Sequence, residues 1–251
     1  MDLSGYRASS SERERTADLL RHMPTKGRNA LDIGARDGHF SLLMADRFDE
    51  VTALDLTEPM VSHPKVRCVK GDAAEISVAD DSYNFVLCAE VLEHIPPPTL
   101  QKVCQEMERV CSHQILIGVP YKQDTRVDRT TCYTCGKPNP PWGHVNSFDE
   151  QRILNLFCRF ELDAISFVGI NRSRSNWLAT ALMDFAGNPY GTYGQGEACI
   201  HCGHRLIEPP LPNPVQRAAA KGAHWSRWIT ELLVRPRGNW MHILLRKINT
   251  V

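Results

Sequence analysis

The stretch Leu31-Asp32-Ile33-Gly34-Ala35-Arg36-Asp37-Gly38-His39-Phe40 decides the fold. A short apolar run, Ala30 to Ile33, enters a turn with two glycines. Phe40, Leu43, Met44 and Phe48 then follow at helical spacing. Strand, tight turn and helix in that order make the first half of a βαβ unit. Glycines in the turn permit positive φ and let a ligand approach the backbone. The dinucleotide fingerprint Gly-x-Gly-x-x-Gly is not met, because Arg36 and His39 stand where its second and third glycines would fall. Asp32 at the strand end would repel a pyrophosphate, but it suits a ligand that carries a cation or a hydroxyl there.

Working outward, the same rhythm repeats. Val51 to Asp55, Val66 to Lys70, Asn84 to Ala89 and Gln114 to Val119 are further short apolar runs. A helix is expected over 11–23, with Ser11 and Glu14 as a capping box, and another over 98–111. Strands alternating with helices imply right-handed crossovers and a parallel sheet covered on both faces. The rhythm stops after Pro120. Residues 121–147, with Pro138, Pro140 and Pro141, read as a loop. A helix (148–157), a strand (160–168), a helix (176–185), a Gly-rich stretch, a proline linker (209–214), a helix bearing Trp225 and Trp228, and a last strand (240–245) follow. The expected organisation is an N-terminal helical segment (1–27), a core (28–170 and 236–251), and a linked loop and insertion (121–147 and 171–235).

Each strand end carries a polar signal. Asp55 lies 21 residues after Gly34, where a carboxylate can accept both hydroxyls of a ribose. Gly71-Asp72-Ala73 follows the third strand, and Asp72 could accept from an adenine amino group. Ala89-Glu90-Val91-Leu92-Glu93-His94-Ile95-Pro96 follows the fourth. All lie at carboxyl ends of strands, where open α/β sheets bind ligands.

Over residues 28 to about 120 this series resembles the class I S-adenosylmethionine (SAM)-dependent methyltransferases, in the group with Glu-Val-Leu-Glu-His after the fourth strand. The resemblance implies a Rossmann-like seven-stranded α/β sheet with helices on both faces and SAM as cofactor. It places Asp32, Gly34, Ala35, Arg36 and Gly38 around the methionyl part and Asp55 on the ribose. Leu56, Asp72 and Ala73 would meet adenine, and the backbone at Ala89 and Glu90 the methionyl ammonium. Arg36 replaces a usual glycine, so its backbone is expected to avoid a glycine-only conformation. A sulfonium already carries a good leaving group, so in-line alignment and exclusion of water dominate catalysis. A general base is needed only for a protonated acceptor; His144, His94 and Tyr121 are the candidates.

Nine cysteines are present. Cys68, Cys88, Cys104, Cys111 and Cys158 sit singly in apolar surroundings and read as core residues. Cys132-Tyr-Thr-Cys135-Gly136 and Cys199-Ile-His-Cys202-Gly203 repeat one pattern, with 63 residues between the two cysteine pairs. Four thiolates at this spacing suit a structural, tetrahedral Zn2+ that staples two distant loops, with His201 and His204 as substitute ligands. Two redox pairs would more usually sit at strand-to-helix turns. The staple is expected to pin a lid over the acceptor, and residues 188–196 either line that pocket or form an ordered loop.

Composition sets the limits. The 251 residues allow one large domain or one domain with an insertion, and 42% hydrophobic with 23% charged residues excludes wholesale disorder. Lys+Arg and Asp+Glu are both 29, yet eight Lys/Arg face two acids from Arg205 onward. Arg217, Lys221, Arg227, Arg235 and Arg237 surround an apolar stripe with two Trp. That is either a solvated face on a helix packed on the domain, or a contact for an anionic lipid or RNA. Zero net charge and the lack of an aromatic-basic RNA motif weigh against nucleic acid. No run reaches a membrane span and the start lacks a signal-peptide stretch, so a cytoplasmic location is expected. The leading expectation is methyl transfer to O or N of a small molecule. An RNA or protein methyltransferase and a non-catalytic SAM- and zinc-binding scaffold are the alternatives. Nothing in the sequence sets the oligomeric state.

Overall fold

The structure, a computed structural model, describes residues 4–194, 196 and 198–248. Its helices are α1 (Ser4–Arg7), α2 (Ser10–His22), α3 (His39–Ala45), α4 (Pro97–Val110), α5 (Glu150–Leu156), α6 (Trp177–Phe185) and α7 (Pro214–Leu233). Its strands are β1 (Gly27–Ile33), β2 (Phe48–Asp55), β3 (Val66–Lys70), β4 (Tyr83–Ala89), β5 (Cys111–Pro120), β6 (Thr130–Thr131), β7 (Pro138–Asn139), β8 (Phe160–Val168) and β9 (Trp240–Lys247). Two compact units result. Unit 1 is Met1–Tyr121, Phe148–Gly169 and Gly238–Val251; unit 2 is Lys122–Ser147 and Ile170–Arg237.

Unit 1 is built on a seven-stranded sheet in the order β3-β2-β1-β4-β5-β9-β8. β1 to β5 are mutually parallel, and β9 runs antiparallel between β5 and β8. Chain direction across the sheet reverses between β1 and β4, which makes the switch point where such sheets bind ligands. Register keeps the strand ends level there: Ile33 lies beside Leu54 on one side and Cys88 on the other. The apolar runs alternate between two cores. Phe85 and Leu87 of β4 pack with Leu19 of α2, Met23 just after it, and Phe40 and Met44 of α3. Val86 and Cys88 pack with Leu100, Val103 and Met107 of α4 and Ile153 of α5. Each fully buried Val or Leu side chain contributes about 1.5–3 kcal/mol, so both faces of β4 must be apolar.

Local expectations shift in four places. The N-cap of α2 is Ser9, whose hydroxyl accepts from the Glu12 N–H, so Ser11 and Glu14 are not its capping box. Phe48 opens β2 instead of extending α3, because α3 ends after Ala45. Residues 121–147 are not wholly loop, since Thr130 and Thr131 pair antiparallel with Asn139 and Pro138. Among the lone cysteines, Cys158 is exposed and Cys68 half-buried, so neither is a core residue.

Unit 2 joins the β6–β7 ribbon to the α6–α7 pair. Asn176 caps α6 by accepting from the Ala179 N–H. Its amide also donates to the Ser226 carbonyl, Ser226 Oγ and Thr230 Oγ1 of α7 at 3.0, 2.9 and 2.7 Å. One side chain thus starts one helix and sets the rotation of the next.

Candidate functional site

The β1–α3 turn is held from below by β2. The N–H groups of Gly34 and Ala35 both donate to the Leu54 carbonyl, at 2.8 and 3.1 Å. Gly34 and Gly38 have φ of 74° and 73°. A Cβ at Gly38 would stand 1.9 Å from Val61 Cγ2, and one at Gly34 would stand 2.3 Å from Val91 Cγ2. Only glycine fits either place. Arg36 takes φ 45°, so it enters the positive-φ region that the sequence suggested it would avoid. Its N–H donates to Asp55 Oδ2 at 3.0 Å, and that bond holds the conformation without glycine.

The acids differ in setting. Asp32 is buried and accepts from Ser41 Oγ at 2.6 Å. Burial pushes its carboxyl up to about 7 against that bond, and the nearby Asp37 and Asp55 charges push the same way. Asp55 accepts the N–H groups of Arg36 and Thr57 on separate oxygens. A carboxylate offers about four lone-pair positions, so acceptor capacity remains for two hydroxyls. Asp72 is exposed and accepts the Ala74 N–H on Oδ1. Ala73 and Ala89 are half-buried, and Leu56 is largely exposed beside Asp55. Glu90 has φ 58° and donates its N–H to the Gly118 carbonyl, which turns the chain out of β4.

A polar network on α2, invisible in the motifs, reaches this site. Arg15 grips Glu12 through two bonds of 2.8 Å and lies 3.6 Å from Glu90. Trp240 Nε1 donates to Glu90 at 3.2 Å, and Arg7 bonds both Glu12 and Asp37. Burial raises the Glu90 carboxyl against the pull of Arg15. Glu93 is fully buried with no hydrogen bond to either oxygen among the described residues, and burial, with the Glu90 charge, raises its carboxyl well above the usual range. Further along α2, Asp18 accepts from His242 Nδ1 and Ser166 Oγ. Although burial opposes it, these bonds hold Asp18 at about 2, while burial lowers His242. The pair is therefore a carboxylate and a neutral imidazole. The signal available in the sequence was Glu12–Arg15 at i,i+3, which reads equally as a solvated pair.

The three candidate bases have different settings. Tyr121 is buried, and its hydroxyl donates to Glu150 Oε1 at 2.7 Å. His94 is exposed, and desolvation by its surroundings and the Arg36 guanidinium lower it to about 4. His144 belongs to unit 2, where it is buried with Nδ1 2.6 Å from Gln123 Oε1.

In unit 2 the two Cys-x-x-Cys-Gly turns fold alike. Gly136 and Gly203 donate back to the carbonyls of Cys132 and Cys199 at 2.8 Å in both cases. Both glycines have positive φ, 69° and 73°. The N–H of Cys132 bonds the Lys137 carbonyl, and that of Cys199 bonds the His204 carbonyl, which closes matching loops. The four sulfurs all lie within 4.8 Å of one another. Cys132 Sγ is 3.6 Å from Cys202 Sγ, and Cys135 Sγ is 3.7 Å from Cys199 Sγ. These are too long for disulfides, whose S–S bonds are about 2.05 Å. A regular tetrahedron with Zn–S of about 2.3 Å has an edge of about 3.8 Å, so the thiols fit a zinc ion closely. His201 and His204 turn to the carbonyls of Pro138 and Cys202 instead. The loop after α6 is pinned to this ribbon: Asn188 donates to Thr131 Oγ1, and the Thr131 N–H donates to Tyr193 OH. Asn188, Tyr190 and Gly191 line a small cleft with Arg126, Arg129 and Arg227.

Comparison with known proteins agrees with this geometry. Residues 31–114 match the family model described as a methyltransferase domain. Ubiquinone biosynthesis O-methyltransferase of Stutzerimonas stutzeri is 30% identical over 87 residues, 31% of this chain and 38% of the relative. The chain therefore spans well under half the length of that relative. Among solved structures, 1,6-didemethyltoxoflavin-N1-methyltransferase of Burkholderia thailandensis, with S-adenosylhomocysteine bound, superposes with TM-score 0.52 at 14% identity, covering 98% of this chain and 82% of that one. The (4+2)-cyclase SpnF superposes with TM-score 0.55 at 14% identity, covering 96% and 83%. The shared fold thus supports more than one chemistry. Among the described residues no helix is long and apolar enough to cross a membrane.

Proposed function

We propose that the chain is a class I SAM-dependent methyltransferase, a reading supported by the match of residues 31–114 to a methyltransferase domain and by the strand order of its sheet, and that it transfers the methyl group of SAM to an oxygen or nitrogen of a small molecule. The observation that carries this is the convergence of four polar strand ends, β1, β2, β3 and β4, at neighbouring places in the sheet. When bound, SAM supplies an electrophilic methyl on a sulfonium with a neutral thioether as leaving group. The turn Asp32 to Gly38, with Gly34, Ala35 and Arg36, holds the methionyl end, and Asp32 offers it a carboxylate. Asp55 accepts the ribose hydroxyls. Leu56, Asp72 and Ala73 take the adenine, and the Ala89–Glu90 backbone takes the ammonium. His94, lowered to about 4 and so neutral near pH 7, would remove a proton from the acceptor, with His144 as the second candidate. Tyr121 is the weaker choice, because its hydroxyl already serves Glu150.

A structural Zn2+ on Cys132, Cys135, Cys199 and Cys202 completes the reading. Four protein thiolates leave no open coordination position, so the ion shapes unit 2 and takes no chemical part. Calorimetry with SAM and S-adenosylhomocysteine tests the cofactor directly. Asp55→Ala should weaken binding by 10- to 100-fold, the range of a lost charge-assisted hydrogen bond. No binding by the intact, metal-loaded protein would refute the proposal. Because the fold also hosts a cyclase, methyl transfer itself must be followed with methyl-labelled SAM and a panel of phenols and amines.

A further inference from the structure

We propose that α7 docks this protein on an anionic phospholipid surface. The helix is rotated against its own composition. It buries Ala220 and Ala223, while Trp225, Trp228, Ile229, Leu232 and Leu233 are exposed. Trp225, Trp228 and Leu232 show 67%, 53% and 61% of their surface. At about 3.6 residues per turn, Trp225 and Leu232 stand roughly opposite Ala223. This rotation is specified. The Asn176 amide engages Ser226 and Thr230, and a Cβ on Gly222 would lie 3.4 Å from Leu182 of α6. Small and hydrogen-bonded residues face α6, so the large apolar ones are left outward.

The outward stripe is also cationic. Arg217 and Lys221 precede Trp225 at four-residue steps, and Arg235 follows the helix; all three are exposed. Among the described residues they make no ion pair. The acid nearest the stripe, Glu231, is paired with Arg227, which also holds Asp128. Trp225 and Trp228 form an edge-to-face pair with centroids 5.8 Å apart. Trp side chains flanked by Lys and Arg on one exposed helix face match a lipid interface, where rings sit at headgroup depth and cations meet phosphate. A two-fold pairing of two copies would bring cations together with no acid on the stripe to offset them. Lipid is therefore the occupant favoured over a second chain.

The full chain should be sedimented with vesicles of phosphatidylcholine, and separately with vesicles of equal parts phosphatidylcholine and phosphatidylglycerol. It should pellet with the anionic vesicles only, with a blue shift of tryptophan emission, and be released by high salt. Arg217→Gln with Lys221→Gln should weaken this binding roughly thirtyfold, the effect of two surface cations. Trp225→Ser with Trp228→Ser should abolish it while the thermal midpoint stays unchanged. Absence of pelleting, or pelleting that survives the double Trp substitution, would overturn the proposal. So would a native dimer that the same substitution converts to monomer.

Discussion

Asp32 makes cofactor binding a proton-linked event with a calculable slope. In the free protein its carboxyl titrates at about 7, because burial outweighs the Ser41 hydrogen bond. A cationic ligand group beside it needs the carboxylate. Below pH 7, binding must therefore expel a proton, and affinity falls as pH drops. The ionised fraction is one half at pH 7 and about one eleventh at pH 6, so affinity should fall about fivefold over that interval. Well below pH 6 the slope approaches tenfold per unit, or about 1.4 kcal/mol. S-adenosylhomocysteine is the suitable probe, since its ammonium stays charged below roughly pH 7.7. Calorimetry between pH 5.5 and 7, in buffers of different ionisation enthalpy, reads both affinity and proton release. Asp32→Asn keeps an acceptor for Ser41 and should flatten the profile. The sign for folding is opposite. A raised carboxyl favours the protonated native state, so the Asp32 contribution to stability is lost as pH rises through about 7. Asp32→Asn should then melt higher than the parent at pH 8 and converge with it toward pH 4. A pH slope unchanged in Asp32→Asn would refute the linkage.

Two further outcomes follow from the geometry. Elemental analysis should find one zinc per chain, bound at sulfurs now 3.6 and 3.7 Å apart across the two turns. A cross-link spanning 63 residues is worth about 4 kcal/mol of chain entropy, so chelation or Cys199→Ser should expose unit 2 to protease while unit 1 stays protected; equal protection of both would count against the metal. Gly38→Ala places a Cβ 1.9 Å from Val61 Cγ2 at φ 73°. It should cost about 2–3 kcal/mol and lower the thermal midpoint by about 5–10 °C, with partial recovery when Val61→Ala is added; a midpoint within error of the parent would show that the turn is not so constrained.

What could be read in advance divides along a physical line. β1, β2, β4 and β5 were legible because a parallel strand buried on both faces must be a continuous apolar run, and the residues that end each run carry the polar groups; β3, an edge strand with no buried residue, was legible only from its place in the rhythm. The two cysteine turns were legible because Cys-x-x-Cys-Gly encodes its own loop, down to the positive φ of Gly136 and Gly203. The ion network of α2 was not, since Glu12, Arg15 and Asp18 look like a solvated face until Glu90 and His242 are folded against them. Arg36 misled for a different reason: a hydrogen bond from its own backbone to Asp55 stabilises a conformation that residue type alone disfavours. α7 gives the sharpest case. Its apolar stripe predicts burial of Trp225, Trp228 and Leu232 by periodicity, yet the stripe is exposed. Periodicity finds the two faces of a helix but does not choose between them. The choice was made by Asn176, whose three bonds to Ser226 and Thr230 require the small face to turn inward. Left without those partners, the half-buried Asn176 amide would cost up to about 1–3 kcal/mol, comparable with burying one large apolar side chain. Rotating α7 to hide the tryptophans would break several such bonds at once and force large rings into a seam sized for alanine. The exposed stripe is therefore the lower-energy arrangement of this helix pair in water, and a surface that covers it gains the apolar burial without disturbing the lock.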